Sequence, residues 1–287
     1  MHRVRKFLLY PSLVLLPTLG MMLGLSSAAG VSTAGASPAP GAAAARAAIN
    51  TIRLLRIGHH STILRIPTSH QEIYGLNEVD STNWSGYADT GSSFSQVAGS
   101  WTEPSASCSG RTTSLAAFWV GIDGYSSNTV EQDGTLIECY RGSAYQYSWW
   151  EMYPTNDIQV VGESVAAGDS ITASVVRSGT SYTLAVTDST HPANSFSTIQ
   201  SCSDCANSSA EWIAEAPSGS AGVYPLTDFG TWTETGASVT EGSTSGVISS
   251  FTDDEITMVD SRGLVKAQPG PLNGSGSGFS DTWERSS

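Results

Sequence analysis

The sequence predicts an all-β protein in which two antiparallel sheets pack face to face. From about Asp80 onward apolar and polar residues alternate, most clearly in residues 171–187, where two alternating runs flank the turn-like residues 177–180. Clusters of Gly, Ser, Asn and Asp separate further short runs, and no convincing amphipathic helical run occurs. The further runs that we predict as strands are residues 94–101, 116–122, 145–152, 211–214 and 256–259.

The first 29 residues have the layout of a signal peptide. Three basic residues among the first six precede a mostly apolar stretch, residues 7–25, and small residues follow at 26–29. An uncleaved membrane anchor is the competing interpretation, but Pro11 and Pro17 interrupt the stretch. We therefore expect residues 1–29 to be removed and the protein to be secreted, extracellular and free of a membrane anchor.

Charge divides the chain into a basic front and an acidic body. Residues 1–76 carry a net charge of +6 and residues 77–287 carry −19, which together give the −13 of the whole chain. Residues 30–76 are rich in small residues and then interleave Arg with Ile and Leu, as a propeptide does. Such a strip could cover an acidic cleft of a zymogen and leave it when carboxylates become protonated. A passive linker is the equally open alternative.

The acidic body, residues 77–287, contains few cations, so its self-repulsion stays weak when its carboxylates are protonated. That composition suits work at low pH, although a halophilic protein or simple solubility would give a similar composition. It argues against nucleic acid as a partner, because phosphate binding needs cations. We expect a monomeric single domain here.

Four cysteines follow the leader, and export would place them where disulfides persist. Of the three possible pairings we favour Cys108 with Cys139 and Cys202 with Cys205, because the second pair lies in a turn-rich stretch. A redox Cys-x-x-Cys motif is the alternative, but no βαβ pattern surrounds it.

The body has a single histidine, His191, in a turn-like Thr-His-Pro sequence that predicts a surface loop. Catalysis by a Ser-His-Asp or Cys-His arrangement would depend on that one loop residue, and a zinc site normally needs several His or Cys ligands. We therefore expect neither a metal nor a cofactor. Carboxylates, carboxamides and hydroxyls are left as candidates, and they concentrate among aromatic residues in segments 118–124, 130–134, 149–154 and 210–215.

In this order, these segments resemble the glutamic peptidases, or eqolisins, over residues 80–284. The resemblance implies a jelly-roll-like β-sandwich of two seven-stranded sheets, and an acid endopeptidase that hydrolyses polypeptide substrates without a cofactor. The motifs that carry it are Asn83-Trp84-Ser85-Gly86, residues 118–124, Gln132-Asp133-Gly134, residues 145–154, Ala210-Glu211-Trp212-Ile213 and Asp228-Phe229-Gly230.

The resemblance also implies roles for individual residues. Glu211 is the expected general base, and Gln132, in what looks like a turn, is expected to place the water and stabilise the oxyanion. Asp123 is expected to support this pair through hydrogen bonds. Aromatic residues and one further acid are expected to line the site, with one ring of the pair Trp149-Trp150 in the core and the other in the groove. The lining residues are Trp119, Trp149, Glu151 and Tyr153.

Three residues depart from the fungal pattern. Glu131 and Asp133 flank the glutamine and bear on the pH optimum, whereas Met152 bears on the shape of a substrate subsite. Two other classes of protein stay open on the residues alone. One is a jelly-roll glycoside hydrolase that uses two acids such as Glu151 and Glu211. The other is a carbohydrate-binding sandwich whose aromatic residues stack on sugars.

Overall fold

The structure is a computed structural model that describes residues 62–65 and 77–287, and the expected leader lies outside that part. Two short 3-10 helices, Pro192–Asn194 and Ile248–Ser250, accompany the strands, and no helix in the described residues is long and apolar enough to cross a membrane. The strands are β1 (Asn77–Ser81), β2 (Trp84–Thr90), β3 (Phe94–Thr102), β4 (Ser114–Ile122), β5 (Val130–Tyr140), β6 (Ser143–Tyr153), β7 (Asn156–Ser164), β8 (Ser170–Ser178), β9 (Ser181–Asp188), β10 (Phe196–Ser201), β11 (Ser209–Glu215), β12 (Ser218–Gly219), β13 (Gly222–Val223), β14 (Thr231–Glu241), β15 (Thr244–Gly246), β16 (Thr252–Val259), β17 (Val265–Pro269) and β18 (Phe279–Trp283).

The strands predicted from the alternation of apolar and polar residues are present in the structure. Residues 171–187 form the hairpin β8–β9, and its turn contains Gly179 with a φ of 63°, a conformation that glycine adopts without strain. The apolar positions of both strands, including Ile171, Val175 and Leu184, are buried, while the residues between them are more exposed. The other five predicted runs lie within β3, β4, β6, β11 and β16.

The sheets form a sandwich whose two layers share one hydrogen-bonded path. The order of strands along it is β10-β9-β8-β3-β14-β18-β17-β16-β2-β11-β4-β5-β6-β7, and β1 and β15 pair at its side. Strand β14 connects the layers, because residues 231–234 pair with β18 and residues 235–241 pair with β3. The all-β sandwich is therefore confirmed, although its layers are not two separate seven-stranded sheets.

The central strands β2, β11, β4, β5 and β6 bury both of their faces. One face packs against β3, β8, β9 and β14 in an inter-sheet core that includes Phe118, Val120 and Trp212. Alternate residues on the same strands, such as Trp119 and Ile213, point away from that core and form a second apolar cluster. We call this second surface the outer face.

Both favoured disulfides are present. Cys108 is bonded to Cys139 and Cys202 to Cys205, with Cα atoms 5.3 Å and 5.7 Å apart, so the predicted pairing is confirmed. The first bridge joins the segment before β4 to β5, and the second closes a short loop before β11.

Many carboxyl groups lie in the interior of the sandwich, and burial is the main cause that raises their pKa values. It raises the pKa of Glu103 and of Asp281 to about 7. The pKa of Asp133, which lies between the sheets, is raised well above its usual value although backbone groups of β8 and β9 oppose the shift. Others with raised pKa values are Asp89, Glu131, Glu138, Glu211, Glu215 and Glu234.

We expect the free energy of unfolding to be greatest in acid and to decrease as the pH rises. Glu103 and Asp281 titrate at about 7 in the folded protein, whereas carboxylic acids of an unfolded chain titrate near 4. The folded state therefore binds more protons in this window, so their contribution is fully present below about pH 4 and is lost as the pH rises through about 7. Thermal unfolding followed by circular dichroism from acid to neutral pH measures this dependence.

A matched pair of variants tests whether a buried acid, rather than any acid, causes the pH dependence of Tm. Asp133→Asn removes a buried acid and should flatten the pH dependence of Tm, because the amide does not titrate, whereas the exposed Asp204→Asn should leave it unchanged. A wild-type Tm that increases from acid to neutral pH would contradict the prediction.

Candidate active site

One row of residues crosses the central strands on the outer face. Glu151 on β6 lies opposite Gln132 on β5, Gln132 lies opposite Gly121 on β4, and Gly121 lies opposite Glu211 on β11. Directly opposed residues of antiparallel strands point to the same face of the sheet. Gln132 and Glu211 therefore share one surface, with Cα atoms about 10 Å apart, which is two strand spacings.

The prediction that Gln132 lies in a turn is wrong. Gln132, Asp133 and Gly134 lie inside β5, which pairs with β4 on one side and with β6 on the other. Position 134 requires a glycine because β4 packs closely against it. A Cβ atom there would lie 2.0 Å from the carbonyl oxygen of Phe118. Asp-Gly is a frequent turn sequence, and this packing requirement explains why it misled the sequence-based interpretation.

Gly121 lies between the two candidate catalytic residues, at a position that has no room for a side chain. A Cβ atom at Gly121 would lie 2.9 Å from the ring of Trp119 and 3.2 Å from Cβ of Gln132. Those distances are shorter than ordinary contacts, so even a methyl group would displace its neighbours. Only the backbone of Gly121 therefore separates Gln132 from Glu211 along this row.

The side chain of Gln132 is fully buried and has a defined orientation. Its Nε2 donates a hydrogen bond of 2.8 Å to Oε2 of Glu151. A carboxylate only accepts hydrogen bonds, so this contact fixes which end of the amide faces Glu151. The second hydrogen on Nε2 is available for another acceptor, and Oε1 has no partner among the residues that the structure describes.

Glu211 is also fully buried. Burial raises its pKa well above the usual value, the nearby charges of Asp123, Glu131 and Asp89 raise it further, and the hydroxyl of Ser209 opposes the shift. These effects disfavour the ionised form of the carboxyl group. Contact with water would reduce the effect of burial and lower the pKa towards the ordinary range of a glutamate.

Asp123 holds the backbone that leads into β11. Its Oδ2 accepts a hydrogen bond of 2.6 Å from the amide of Asn207, and its Oδ1 accepts one of 2.8 Å from the amide of Ser208. Its own amide donates to the carbonyl oxygen of Ser209 at 3.1 Å. Among the described residues, these bonds connect the end of β4 to the start of β11 rather than reaching Gln132 or Glu211 directly.

The aromatic residues divide between the two faces. Trp119 and Trp149 are buried on the outer face, on either side of Gly134. Trp150 and Met152 pack against the inter-sheet core, so one tryptophan of the pair lies on each face, and Met152 does not shape the outer face. Tyr153 follows Glu151 at period two and is partly buried.

Two acids that sequence reasoning placed beside Gln132 point away from it. Glu131 and Asp133 alternate with Gln132 along β5, so they face the inter-sheet side. There Glu131 lies near Asp123, whose charge raises the pKa of Glu131 beyond the rise that burial causes. The departures from the fungal pattern at these two positions therefore lie outside the row that holds Gln132.

Comparison with known proteins gives the family. Residues 82–268 match the Peptidase A4 family. The chain belongs to that family. It is therefore a glutamic-type endopeptidase, and the resemblance on which the sequence analysis relied is confirmed.

Curated relatives and solved structures agree with this membership of the A4 family. The chain is 29% identical to Aspergillopepsin-2 of Aspergillus niger over 209 residues, which cover 64% of this chain and 74% of that protein. It is 34% identical to Scytalidopepsin B of Scytalidium lignicola over 139 residues, 47% of this chain and 51% of that protein. The fold is similar to scytalido-glutamic peptidase bound to a peptide-based transition state analog, with a TM-score of 0.60, 23% identity and coverage of 71% and 98% of the two chains. It is also similar to aspergilloglutamic peptidase from Aspergillus niger, with a TM-score of 0.52, 26% identity and coverage of 60% and 99%.

The row on the outer face of this A4 peptidase extends beyond Glu211 to residues that sequence reasoning missed. Ala88 on β2 lies opposite Glu211, and Asp254 on β16 lies opposite Ala88. The hydroxyl of Tyr125 donates a hydrogen bond to Oδ2 of Asp254. The alternation of the strand predicted at 256–259 would have placed Asp254 on this face if extended by two residues, whereas the position of Tyr125 depends on how its loop folds.

Two groups of side chains in the described residues have the composition of metal ligands. One contains Glu131 with Cys202 and Cys205, but these cysteines are joined in a disulfide and offer no thiolate. The other contains Asp169, Asp188 and His191. His191 lies in an exposed loop, as the sequence predicted, and its Nδ1 is 2.8 Å from Oδ1 of Asp169.

Gly121→Ala should reduce kcat/KM on a protein substrate by about a hundredfold, because its methyl group would clash with Trp119 and Gln132 and displace Gln132 relative to Glu211. Steady-state kinetics in acid, with Tm measured in parallel, test this. Gly274→Ala is the matched control, since an added Cβ there meets nothing within 4 Å. Full activity in Gly121→Ala would show that the reaction does not depend on the position of Gln132 relative to Glu211.

Proposed function

We propose that this A4 peptidase is a secreted endopeptidase that works in acid, with Glu211 as the general base and Gln132 as the stabiliser of the oxyanion. The observation that carries the proposal is the row in which Gly121 separates these two side chains on one face. The row combines a carboxyl group that can take a proton with an amide that can donate hydrogen bonds.

In the proposed reaction, Glu211 takes a proton from a water molecule as that water attacks the peptide carbonyl carbon. The C–N bond then breaks, and Glu211 returns the proton to the leaving amine. A solvated glutamate has a pKa near 4, so part of the population is ionised in acid and can act as the base without a histidine.

Gln132 acts on the charge that develops on the carbonyl oxygen. The hydrogen on Nε2 that Glu151 does not take is the proposed donor to this oxyanion. One such donor lowers the barrier by about 2.7 to 4 kcal/mol. A primary amide does not titrate, so this donor persists in acid, where an ionisable group would change its charge.

Glu151 and Asp123 are proposed as positioning residues. Glu151 sets the orientation of the Gln132 amide through its 2.8 Å hydrogen bond. Asp123 fixes the backbone two to four residues before Glu211 through the amides of Asn207 and Ser208 and the carbonyl of Ser209. A glycosidase arrangement of Glu151 and Glu211 fits the site poorly, since the two lie three strand spacings apart, about 14 Å between Cα atoms, with Gln132 between them.

Digestion of casein or haemoglobin at about pH 3 tests the catalytic assignment. Glu211→Gln should be inactive because it lacks the base, and Gln132→Ala should lose about 10² to 10³ in kcat because it lacks the oxyanion donor. The exposed Glu284→Gln and Gln159→Ala are matched controls that should digest at the wild-type rate. Folded Glu211→Gln protein that still digests casein would refute the assignment of the base.

We further propose that residues 1–29 are a signal peptide, that residues 30–76 are an inhibitory propeptide, and that residues 77–287 are the mature, monomeric peptidase. Support comes from the +6 and −19 charges of residues 1–76 and 77–287. Support also comes from residues 62–65, since Ile63 packs against the outer-face cluster that contains Trp119. Protonation of the acidic body would weaken its attraction for the basic segment.

Sequencing of the N-terminus after incubation at neutral and at acid pH tests the propeptide assignment. The wild-type protein should lose residues up to about position 76 only in acid, because only there are its carboxylates protonated. The inactive Glu211→Gln protein is the control and should keep the segment under both conditions. Equal removal at neutral pH would exclude an electrostatic cover.

A further inference from the structure

Residues 62–65 lie against the outer face and are held on both sides by backbone hydrogen bonds, and Arg65 forms an isolated antiparallel bridge with Ser81. On one side, the amide of Ile63 donates to the carbonyl oxygen of Gly124 at 3.2 Å. On the other side, the amide of Thr82 donates to the carbonyl oxygen of Leu64 at 2.9 Å. The segment thus binds in the manner of an added β-strand, a mode that is independent of peptide sequence.

The buried carboxamide of Asn83 also binds this segment. We call the surface formed by Gly124, Thr82 and Asn83 the peptide track. Its Oδ1 accepts a hydrogen bond of 2.8 Å from the amide of Leu64, and its Nδ2 donates one of 3.1 Å to the carbonyl oxygen of Thr62. The hydroxyl of Ser81 donates to the same Oδ1 at 2.8 Å, which fixes the orientation of the amide. Asn83 therefore presents one donor and one acceptor to the backbone of an extended peptide.

The side chains of the segment alternate as they do in a strand, and the two that point to the protein meet different surfaces. Ile63 packs against the apolar cluster of the outer face, and Leu64 is exposed. The guanidinium of Arg65 lies over the ring of Tyr125, 3.9 Å from its centroid, and its Nη2 donates to the carbonyl oxygen of Tyr125 at 3.0 Å. This is a cation–π contact combined with a charge-assisted hydrogen bond.

A hydrogen bond holds Tyr125 in place, close to the row on the outer face that contains Glu211. Its hydroxyl donates to Asp254, which shares the row with Glu211 across Ala88. The side chain of Tyr125 is 5% exposed, so its ring is fixed between Asp254 and the guanidinium of Arg65. The basic side chain therefore docks at the Glu211 end of the row.

We propose that this track is a substrate subsite that selects extended polypeptides with an apolar residue and, two positions later, an arginine or lysine that Tyr125 recognises. The inference rests on the proposed function and adds the substrate class. Residues 62–65 show the geometry of such a peptide, and their contacts to Gly124, Thr82 and Asn83 involve only peptide groups of the bound segment. Another peptide that lies in the same position can make the same backbone hydrogen bonds.

Profiling of cleavage sites in a peptide library tests the subsite directly. Full-length protein is first incubated in acid, and its digestion products are sequenced. We expect Ile, Leu or Val at one fixed distance from the cut bond and Arg or Lys two residues further along. Digestion without a basic preference would overturn this inference and leave the proposed endopeptidase intact, whereas no digestion at all would contradict the proposed function.

Variants of Tyr125 test which group recognises the basic side chain. The readout is the ratio of kcat/KM for two peptides that differ only by Arg or Gln at the selected position. Tyr125→Leu should lower this ratio about threefold to tenfold, whereas Tyr125→Phe, which keeps the ring, should preserve it. Tyr140→Leu is the matched control, because it removes a similar contact to Arg141 that lies at the turn between β5 and β6. An unchanged ratio in Tyr125→Leu would refute recognition by Tyr125.

A third measurement does not depend on catalysis by this protein. In full-length Glu211→Gln protein at neutral pH, trypsin should cut the bond after Arg65 slowly, because the guanidinium is engaged by Tyr125. Adding Tyr125→Leu should accelerate that cut at least threefold in mass spectrometry, and adding Tyr125→Phe or Tyr140→Leu should not. Equal rates in all four proteins would show that the ring does not hold a basic side chain, even if the library gave no products.

Discussion

The register between β4 and its two neighbours is the constraint on which the whole site depends. Gly121 lies opposite Gln132 on one side and opposite Glu211 on the other, so the two candidate catalytic residues point to one surface. A shift of one residue in either pairing would turn one of them into the inter-sheet core, because side chains alternate between faces. Close packing opposes such a shift, since Trp119 lies against Gly134 and a Cβ at that glycine would meet backbone atoms.

The same alternation separates two buried acids of β5 from the glutamine that lies between them. Glu131 and Asp133 face the inter-sheet side, where burial raises their pKa values, whereas Gln132 between them faces the row with Glu211. Carboxyl groups in the interior are tolerated when they are neutral, and acid keeps them neutral. A sandwich built this way would combine the stability in acid that we predict with a site whose proposed base is itself a carboxyl group.

The outer face has the properties of a surface that binds peptides. Asn83, Gly124 and Thr82 together offer two donors and two acceptors to a peptide backbone, and residues 62–65 use all four. An endopeptidase must bind many sequences in one extended conformation, so contacts to peptide groups serve it better than contacts to particular side chains. Specificity then depends on a few side-chain contacts, of which the contact with the ring of Tyr125 is the proposed one.

The sequence by itself predicted seven of the strands, favoured the disulfide pairing that is present and, through the resemblance, gave the family and the two candidate catalytic residues. These features rest on local alternation, on short motifs and on a few cysteines, all of which can be read along the chain. The tertiary structure decided that Gln132 lies in a strand, that Met152 faces the core, and that β14 joins the layers. It also brought Tyr125 to Asp254 across 129 positions of the chain. Period-two patterns define two faces of a strand but do not say which partner covers each face, because register and loop folding depend on residues that are distant in sequence.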